Sequence, residues 1–111
     1  MSDMEAQNFF DIAQLEQSRT KSGKSYLEFL RVSSLSAGVY VLAAGSTDPQ
    51  KPLREDEMYY VVRGRARMKI GVEDQAVATG SIIFVAANVP HRFYEIAEEL
   101  VVLVFFAPAE S

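Results

Sequence analysis

Residues 45–64 read GSTDPQKPLREDEMYYVVRG, a polar loop that leads into an alternating strand and ends at a glycine. Glu57 and Tyr59 fall on the same face of that predicted strand, because successive side chains of a strand point to opposite sides. A second stretch, residues 80–93, reads GSIIFVAANVPHRF and carries His91, the only histidine of the chain. Both stretches begin at a glycine and contain a short strand, which predicts a fold built from brief β-units.

The chain from residue 26 onward continues this alternation of short β-prone runs and turn residues. The predicted strands are residues 26–32, 38–44, 58–63, 65–70, 75–78, 81–85, 91–96 and 100–106. Gly64, between two of them, has the position of a tight hairpin turn. About eight short strands predict an all-β fold, a compact antiparallel barrel or jelly roll. A parallel α/β fold is disfavoured because no crossover helix separates the strands.

Residues 1–25 differ from the rest and are predicted to form an N-terminal arm with a short helix. Asn8 can cap this helix, and Ile12 and Leu15 recur at helical spacing. A polar turn follows, so the barrel is predicted to span residues 26–108.

Length and composition limit the classes of function. With 111 residues the chain is predicted to form one domain. It has no cysteine, so any metal must be bound through nitrogen and oxygen ligands. The net charge of −4 argues against a nucleic-acid partner, which a basic surface normally binds. The longest apolar stretch, residues 100–108, is too short to span a bilayer and no secretory signal is recognisable, so we expect no membrane partner and a cytoplasmic location.

The spacing of the glycines with the acid and the histidine resembles the cupin superfamily, whose motifs read G-x5-H-x-H-x3,4-E-x6-G and G-x5-P-x-G-x2-H-x3-N. Gly45, Glu57 and Gly64 fall on the first motif, and Gly80 and His91 fall on the second. The resemblance covers roughly Tyr26 to Pro108, the full extent of the predicted barrel. It implies a small single-domain bacterial cupin of the type-2 kind, with an antiparallel β-barrel of the double-stranded β-helix type.

The first motif departs from the family pattern, because its two histidine positions hold Lys51 and Leu53. Cupin metals usually sit on three histidines and one glutamate, so the resemblance implies a degenerate metal-binding motif here. Glu57 and His91 are the two ligands retained, and Gln50 is a third side chain that could join them. Imidazole and carboxylate donors suit zinc, iron, manganese or nickel.

Several interpretations of these residues remain open. Glu57 and His91 either bind a divalent metal with Gln50 and water, or hydrogen-bond each other inside the barrel. Lys51 either reaches Glu57 and supplies positive charge where the motif places a metal, or points into solvent. Leu53 either makes one wall of a pocket apolar or packs in the core.

A small-molecule pocket inside the barrel is predicted by strand alternation, since Tyr59, Phe93 and Glu95 share the faces of Glu57 and His91. The predicted ligand-binding residues are Glu57, Tyr59, His91, Phe93 and Lys51. Two classes of function follow: a small-molecule binding module without a complete metal site, and a metal-dependent enzyme of dioxygenase or isomerase type that uses Glu57 and His91. Whether the chain is an enzyme stays open at this stage.

Apolar side chains also occupy the opposite strand faces, at Met58, Tyr60 and Val62 and at Ile82 and Phe84. A small barrel cannot leave so many of them in water. We expect the N-terminal helix to cover some of them, and a second copy of the chain to cover the remainder in a homodimer.

Overall fold

The computed structural model of the chain describes residues 7–49 and 53–111, and places in them one helix and six strands. The elements are α1 (Ile12–Ser22), β1 (Tyr26–Val32), β2 (Leu35–Leu42), β3 (Asp56–Ile70), β4 (Glu73–Ala78), β5 (Ile82–Val85) and β6 (His91–Ala107). The strands pair in the order β1-β2-β6-β3-β4, with β5 beside the first part of β3. Every pairing is antiparallel, so the predicted all-β antiparallel fold is confirmed.

The predicted hairpin at Gly64 is wrong, because β3 continues through this glycine as one bent strand. The register with β6 shifts around Arg63 and Arg65, which marks the bend. Gly64 has a φ of 105°, and a Cβ built on it would lie 2.2 Å from the carbonyl oxygen of Glu99. A glycine inside a strand often marks a bulge or a close approach of another backbone, and both occur here.

The last two predicted strands are likewise a single strand, β6, interrupted by a bulge. Arg65 pairs with Glu98 and Arg67 with Tyr94, so β6 has two residues more than β3 in this interval. Glu95 lies in the extra loop of chain with a φ of 47°. The bulge breaks the alternation that predicted an inward position for Glu95, and its side chain is exposed.

The helix begins later than predicted, since Asp11 and not Asn8 is its N-cap. The Asp11 carboxylate accepts hydrogen bonds from the backbone N–H groups of Ala13 at 2.8 Å and Gln14 at 3.3 Å. Both bonds go to Oδ1, and the negative charge of the carboxylate is also favourable at a helix N-terminus. The helix packs on β1 and β2 and is too short and polar to cross a membrane, and no other helix occurs in the described part of the chain.

The main hydrophobic core lies between the two halves of the bent strands and includes Tyr59, Met68, Phe93 and Leu100. A second set of buried side chains lies outside this cluster. It consists of Ala37, Val39 and Val101. Ala37 and Val39 belong to β2, one of the two strands that α1 contacts, and Val101 belongs to the neighbouring β6. The helix therefore covers the β1–β2 side of the barrel exterior, and within residues 7–49 and 53–111 it makes no comparable contact with β3 or β5.

Candidate functional site

The retained acid and imidazole meet inside the barrel. Glu57 is the second residue of β3, where the alternation turns it inward, and His91 opens β6 from the opposite side. Glu57 Oε1 lies 2.9 Å from His91 Nε2, and both side chains are only 3% exposed. The two side chains are therefore in direct contact inside the barrel.

The hydrogen bond at the second ring nitrogen of His91 determines which protonation state of the ring suits its contact with Glu57. Nδ1 lies 2.9 Å from the carbonyl oxygen of Val89, which can only accept, so Nδ1 carries a proton. Nε2 then faces a carboxylate oxygen, and this contact is favourable when Nε2 is protonated as well. Burial lowers the pKa of His91, but the contacts with Glu57 and Val89 and the charges of Glu57 and Asp48 outweigh burial and raise the pKa of His91 above its usual value.

The Glu57 carboxylate keeps acceptor capacity in this arrangement. Oε1 is buried and, although close to Nε2, lacks a hydrogen bond of good geometry to any donor in residues 7–49 and 53–111. The short distance gives charge attraction between Glu57 and His91, although the contact does not meet the geometry of a full hydrogen bond. A buried acceptor of this kind can accept a hydrogen bond from a bound molecule.

Two aromatic side chains complete the predicted cluster. The Tyr59 ring lies 6.1 Å from the His91 ring and 5.0 Å from the Phe93 ring, the latter edge to face. Burial raises the pKa of Tyr59, and the charge and hydrogen bond of Glu57 raise it further, so its hydroxyl stays protonated. The structure thus brings Glu57, Tyr59, His91 and Phe93 together, whereas Gln50 and Lys51 lie outside the described residues.

Asp48 is a neighbour of the site that sequence reasoning does not find. Its Oδ1 accepts a hydrogen bond from the Tyr40 hydroxyl at 2.8 Å, and its Oδ2 accepts one from the Phe93 backbone N–H at 3.0 Å. These contacts tie the loop before β3 to β2 and β6. An Asp-Pro pair in a polar loop is an ordinary turn signal, so no local pattern indicates that this aspartate reaches into the barrel.

Tyr26 and Tyr40 add two further phenols near the carboxylate. The Tyr26 ring lies against Gly38, where a Cβ would come within 2.3 Å of the Tyr26 Cζ atom, and its hydroxyl is buried without a described hydrogen-bond partner. Burial raises the pKa of Tyr26, as do the charges of Glu110, Glu28 and Glu57. Burial also raises the pKa of Tyr40, followed by its hydrogen bond to Asp48. The charge of Glu57 contributes to the raised pKa of both phenols.

A small cleft lies at the barrel surface beside His91. It has a volume of about 190 Å³ and is lined by Lys69, Gly71, Pro90, His91 and Arg92. Lys69 and Arg92 are cross-strand neighbours and both are exposed, so this rim is positively charged. A larger cleft of about 380 Å³, between β4 and β5, contacts neither Glu57 nor His91.

The described donor set does not fit a firmly bound metal. Within residues 7–49 and 53–111, no three His, Cys, Asp or Glu side chains lie together in a way that could hold an ion. Both oxygens of Asp48 are engaged in hydrogen bonds, and Glu95 is exposed on its bulge. Leu53 is partly buried against the core, which agrees with the second of its two interpretations. One imidazole and one carboxylate fall short of the three or four protein ligands that stable sites use.

Comparison with known proteins identifies the family of the chain. The sequence profile of the Cupin domain matches residues 38–106. The protein SCO3923 of Streptomyces coelicolor is 48% identical over 102 residues, which cover 92% of this chain and 97% of that protein. The crystal structure of TT1209 from Thermus thermophilus is similar with a TM-score of 0.77 and 24% identity, over 93% of this chain and 99% of the other. The DMSP lyase DddQ from Ruegeria pomeroyi DSS-3 is similar with a TM-score of 0.64 and 23% identity, over 68% of this chain and 39% of the lyase. The antiparallel β-barrel and the matched profile together show that the chain belongs to the cupin family.

Proposed function

We propose that the chain is a binding protein for a small hydroxylated molecule, which it holds at Glu57 inside the barrel. The observation that carries this proposal is the buried Glu57 Oε1, which receives no well-formed hydrogen bond from a donor in the described part of the chain. A buried acceptor left in this state costs about 1–3 kcal/mol. A ligand hydroxyl that donates to this oxygen recovers that free energy.

The surroundings of Glu57 favour the same class of ligand. Phe93 and Tyr59 provide apolar ring surface. The Tyr59 hydroxyl interacts with the Glu57 carboxylate, to which a ligand hydroxyl would also donate. The Glu57–His91 pair is close to neutral as a unit, so it suits an uncharged donor better than a cation. Lys69 and Arg92 line the surface cleft beside His91, and their charge favours a ligand with an anionic end, as in a hydroxy acid.

Thermal unfolding in the presence of malate, citrate and glucuronate tests this proposal. At a concentration of 100 times Kd, a ligand stabilises the native state by about 2.7 kcal/mol, which raises Tm by several degrees in a domain of this size. We expect at least one of the three to produce such a rise with and without a chelator. Glu57→Gln should abolish the rise, and Glu98→Gln, on the surface, should retain it. A panel without effect on the native chain, or a rise that survives Glu57→Gln, contradicts the proposal.

A metal-dependent enzyme of dioxygenase or isomerase type is the second candidate. The observation that favours it is the 2.9 Å approach of an imidazole nitrogen and a carboxylate oxygen, both buried. A third ligand is then required, and Gln50, the candidate from the sequence, lies outside the described residues.

Elemental analysis of untagged protein, dialysed against iron, manganese, zinc and nickel in turn, decides between the two candidates. One metal ion per chain that is lost in His91→Ala supports the enzyme. Absence of metal under all four conditions excludes the metal-dependent enzyme and supports the binding protein for a small organic molecule. The cytoplasmic location and the absence of nucleic-acid and membrane partners stay predictions.

A further inference from the structure

Residues 108–111 follow directly on β6 and fold back across one end of the barrel, and we call this segment the strap. Its backbone N–H groups donate to three acceptors: Ala109 to the Ser33 carbonyl oxygen at 3.3 Å, Glu110 to Ser36 Oγ at 2.9 Å and Ser111 to Glu55 Oε2 at 3.2 Å. Arg31 Nη2 donates to the Glu110 carbonyl oxygen at 2.8 Å. The strap is therefore attached by polar contacts to β1, to the β1–β2 turn, to β2 and to the residue before β3.

Pairing across the sheet places the strap beside the Glu57 site. Ser36 of β2 pairs with Phe106 of β6, and Phe106 in turn pairs with Glu57 of β3. All three side chains are buried, so they belong to one layer of inward-facing residues. Since neighbouring strands lie about 4.8 Å apart, the backbone of Ser36 lies roughly 10 Å from that of Glu57. The hydroxyl that accepts a hydrogen bond from the strap is thus in the same layer as the carboxylate of the site.

Glu55 marks the end of the barrel that the strap covers. Glu55, Glu57 and Tyr59 alternate on the inner face, so they form a row that leads from this end toward the interior. Glu55 lies just before β3 and yet is only 6% exposed. Glutamate is rarely buried without a partner, and here the partner is the Ser111 N–H of the strap. The strap therefore closes the end at which this inward row begins.

The composition of the strap makes it easy to detach. Its sequence is PAES, without a large apolar side chain, so little hydrophobic free energy holds it on the barrel. Burial raises the pKa of the Glu110 carboxyl group, and the charges of Glu55, Glu57 and Glu28 raise it further. Arg31 lowers that pKa to a lesser extent. The carboxylates near the strap therefore repel its own acid, while Arg31 holds its backbone in place.

Tyr26 connects the acid of the strap with the acid of the site. Its hydroxyl is buried and has no hydrogen-bond partner among the described residues. Burial raises the pKa of Tyr26 most, followed by the charges of Glu110, Glu28 and Glu57. One phenol thus lies within electrostatic reach of both Glu110 and Glu57, which agrees with the position of the strap over this end of the barrel.

We propose that the strap is a lid on the barrel end at Glu57, which Arg31 holds closed and the charge of Glu110 tends to open. In the closed state the N–H groups of the strap occupy Ser36 Oγ and Glu55 Oε2. In the open state both acceptors become available to the hydroxyl groups of a ligand. The regulatory role of the lid rests on the proposed function, whereas its opening is a property of the chain without ligand.

Thiol labelling with DTNB tests the lid without any ligand. The chain has no cysteine, so Ser36→Cys reports access to the layer beneath the strap. We expect this thiol to react at least about ten-fold more slowly than Val72→Cys, at a position that is 98% exposed. It should react faster than Val61→Cys, at a completely buried core position that only global unfolding exposes. A rate equal to that of Val72→Cys shows no cover, a rate equal to that of Val61→Cys shows no separate opening, and either overturns the proposal.

Changes in the contacts of the strap should move the labelling rate of Ser36→Cys in opposite directions. Arg31→Gln should raise the rate about ten-fold, because a hydrogen bond from a charged donor to the Glu110 carbonyl oxygen is lost. Glu110→Gln should lower the rate about two-fold or more, because it removes the repulsion at nearly constant size. Arg65→Gln is the matched control, an exposed arginine without contact to the strap, and should leave the rate unchanged. An unchanged rate in Arg31→Gln, or faster labelling in Glu110→Gln, overturns the proposal.

Hydrogen exchange of the Ser111 backbone amide tests the lid in the chain without an introduced cysteine. This N–H donates to Glu55 only while the lid is closed. Relative to the intrinsic exchange rate, Arg31→Gln should accelerate exchange and Glu110→Gln should slow it. Exchange at the intrinsic rate in the native chain, or changes in the opposite sense, overturns the proposal even if Ser36→Cys fails to fold. Neither measurement uses a ligand, so failure of the lid is distinguishable from failure of the proposed binding, which thermal unfolding with hydroxy acids measures.

Discussion

At the scale of single residues, the site depends on one buried pair. Glu57 and His91 are almost completely removed from solvent and lie within 2.9 Å of each other. Taking charges out of water is costly, and the cost is recovered only while both partners are present. The pair therefore differs from the exposed ion pairs on the same barrel, such as Arg65 with Glu98 at 3.1 Å.

A double-mutant cycle should show this difference. His91→Leu alone leaves a buried carboxylate without its cation, and we expect a loss of about 3–5 kcal/mol in the free energy of unfolding. Adding Glu57→Leu should recover much of that loss, because the second charge no longer has to be buried. Urea unfolding of the four proteins at about pH 6, where imidazole is largely protonated, measures the coupling.

The exposed pair provides the control for this cycle. Arg65→Leu and Glu98→Leu should couple by less than about 1 kcal/mol, because solvent screens their attraction. Additive losses at Glu57 and His91, or a coupling no larger than that of the surface pair, would show that the buried contact contributes no specific stability.

Local patterns predict part of this site and miss the rest for a physical reason. Motif spacing identifies Glu57 and His91, and strand alternation places Tyr59 inside the barrel. Alternation is wrong for Glu95 because a bulge shifts the side-chain parity. Asp48 is missed because its hydrogen bonds join segments far apart in the chain, and no local pattern encodes such contacts.

At the scale of secondary-structure elements, the bent strand β3 connects the barrel, because it pairs with three other strands. One half of the strand pairs with β5 and the other with β4, while β6 follows it on the other side. Side-chain alternation predicts the strand character of both halves. It cannot distinguish a hairpin at Gly64 from a bend, because the deciding contact is with the backbone of Glu99 in another strand.

Gly64→Ala should therefore be more destabilising than an ordinary glycine substitution. Its Cβ would lie 2.2 Å from the Glu99 carbonyl oxygen and 2.8 Å from the Leu100 Cα, both backbone atoms that cannot move aside cheaply. We expect a loss of about 3 kcal/mol or more in the free energy of unfolding.

Gly80→Ala is the matched control, since Gly80 also has a positive φ, of 92°, but no described atom lies within 4 Å of the added Cβ. It should show only the backbone strain, about 1–2 kcal/mol. Equal losses in urea unfolding would contradict the close approach at Gly64.

At the scale of the whole molecule, the free energy of unfolding should depend on pH through His91, the only histidine of the chain. The folded barrel raises the pKa of His91, so the folded state binds its proton more tightly than the unfolded chain does. The stabilisation is fully present below about pH 6.5, the ordinary histidine value, and is lost as pH rises through the folded pKa. Urea unfolding between about pH 6 and 8.5 should therefore show the free energy of unfolding falling with pH, by at most about 1.4 kcal/mol per pH unit.

The control is His91→Gln, which keeps every other titrating group and should remove this slope, whatever its effect on stability at a single pH. Parallel curves for the two proteins would mean that Glu57 and Val89 do not hold the imidazole in its charged form.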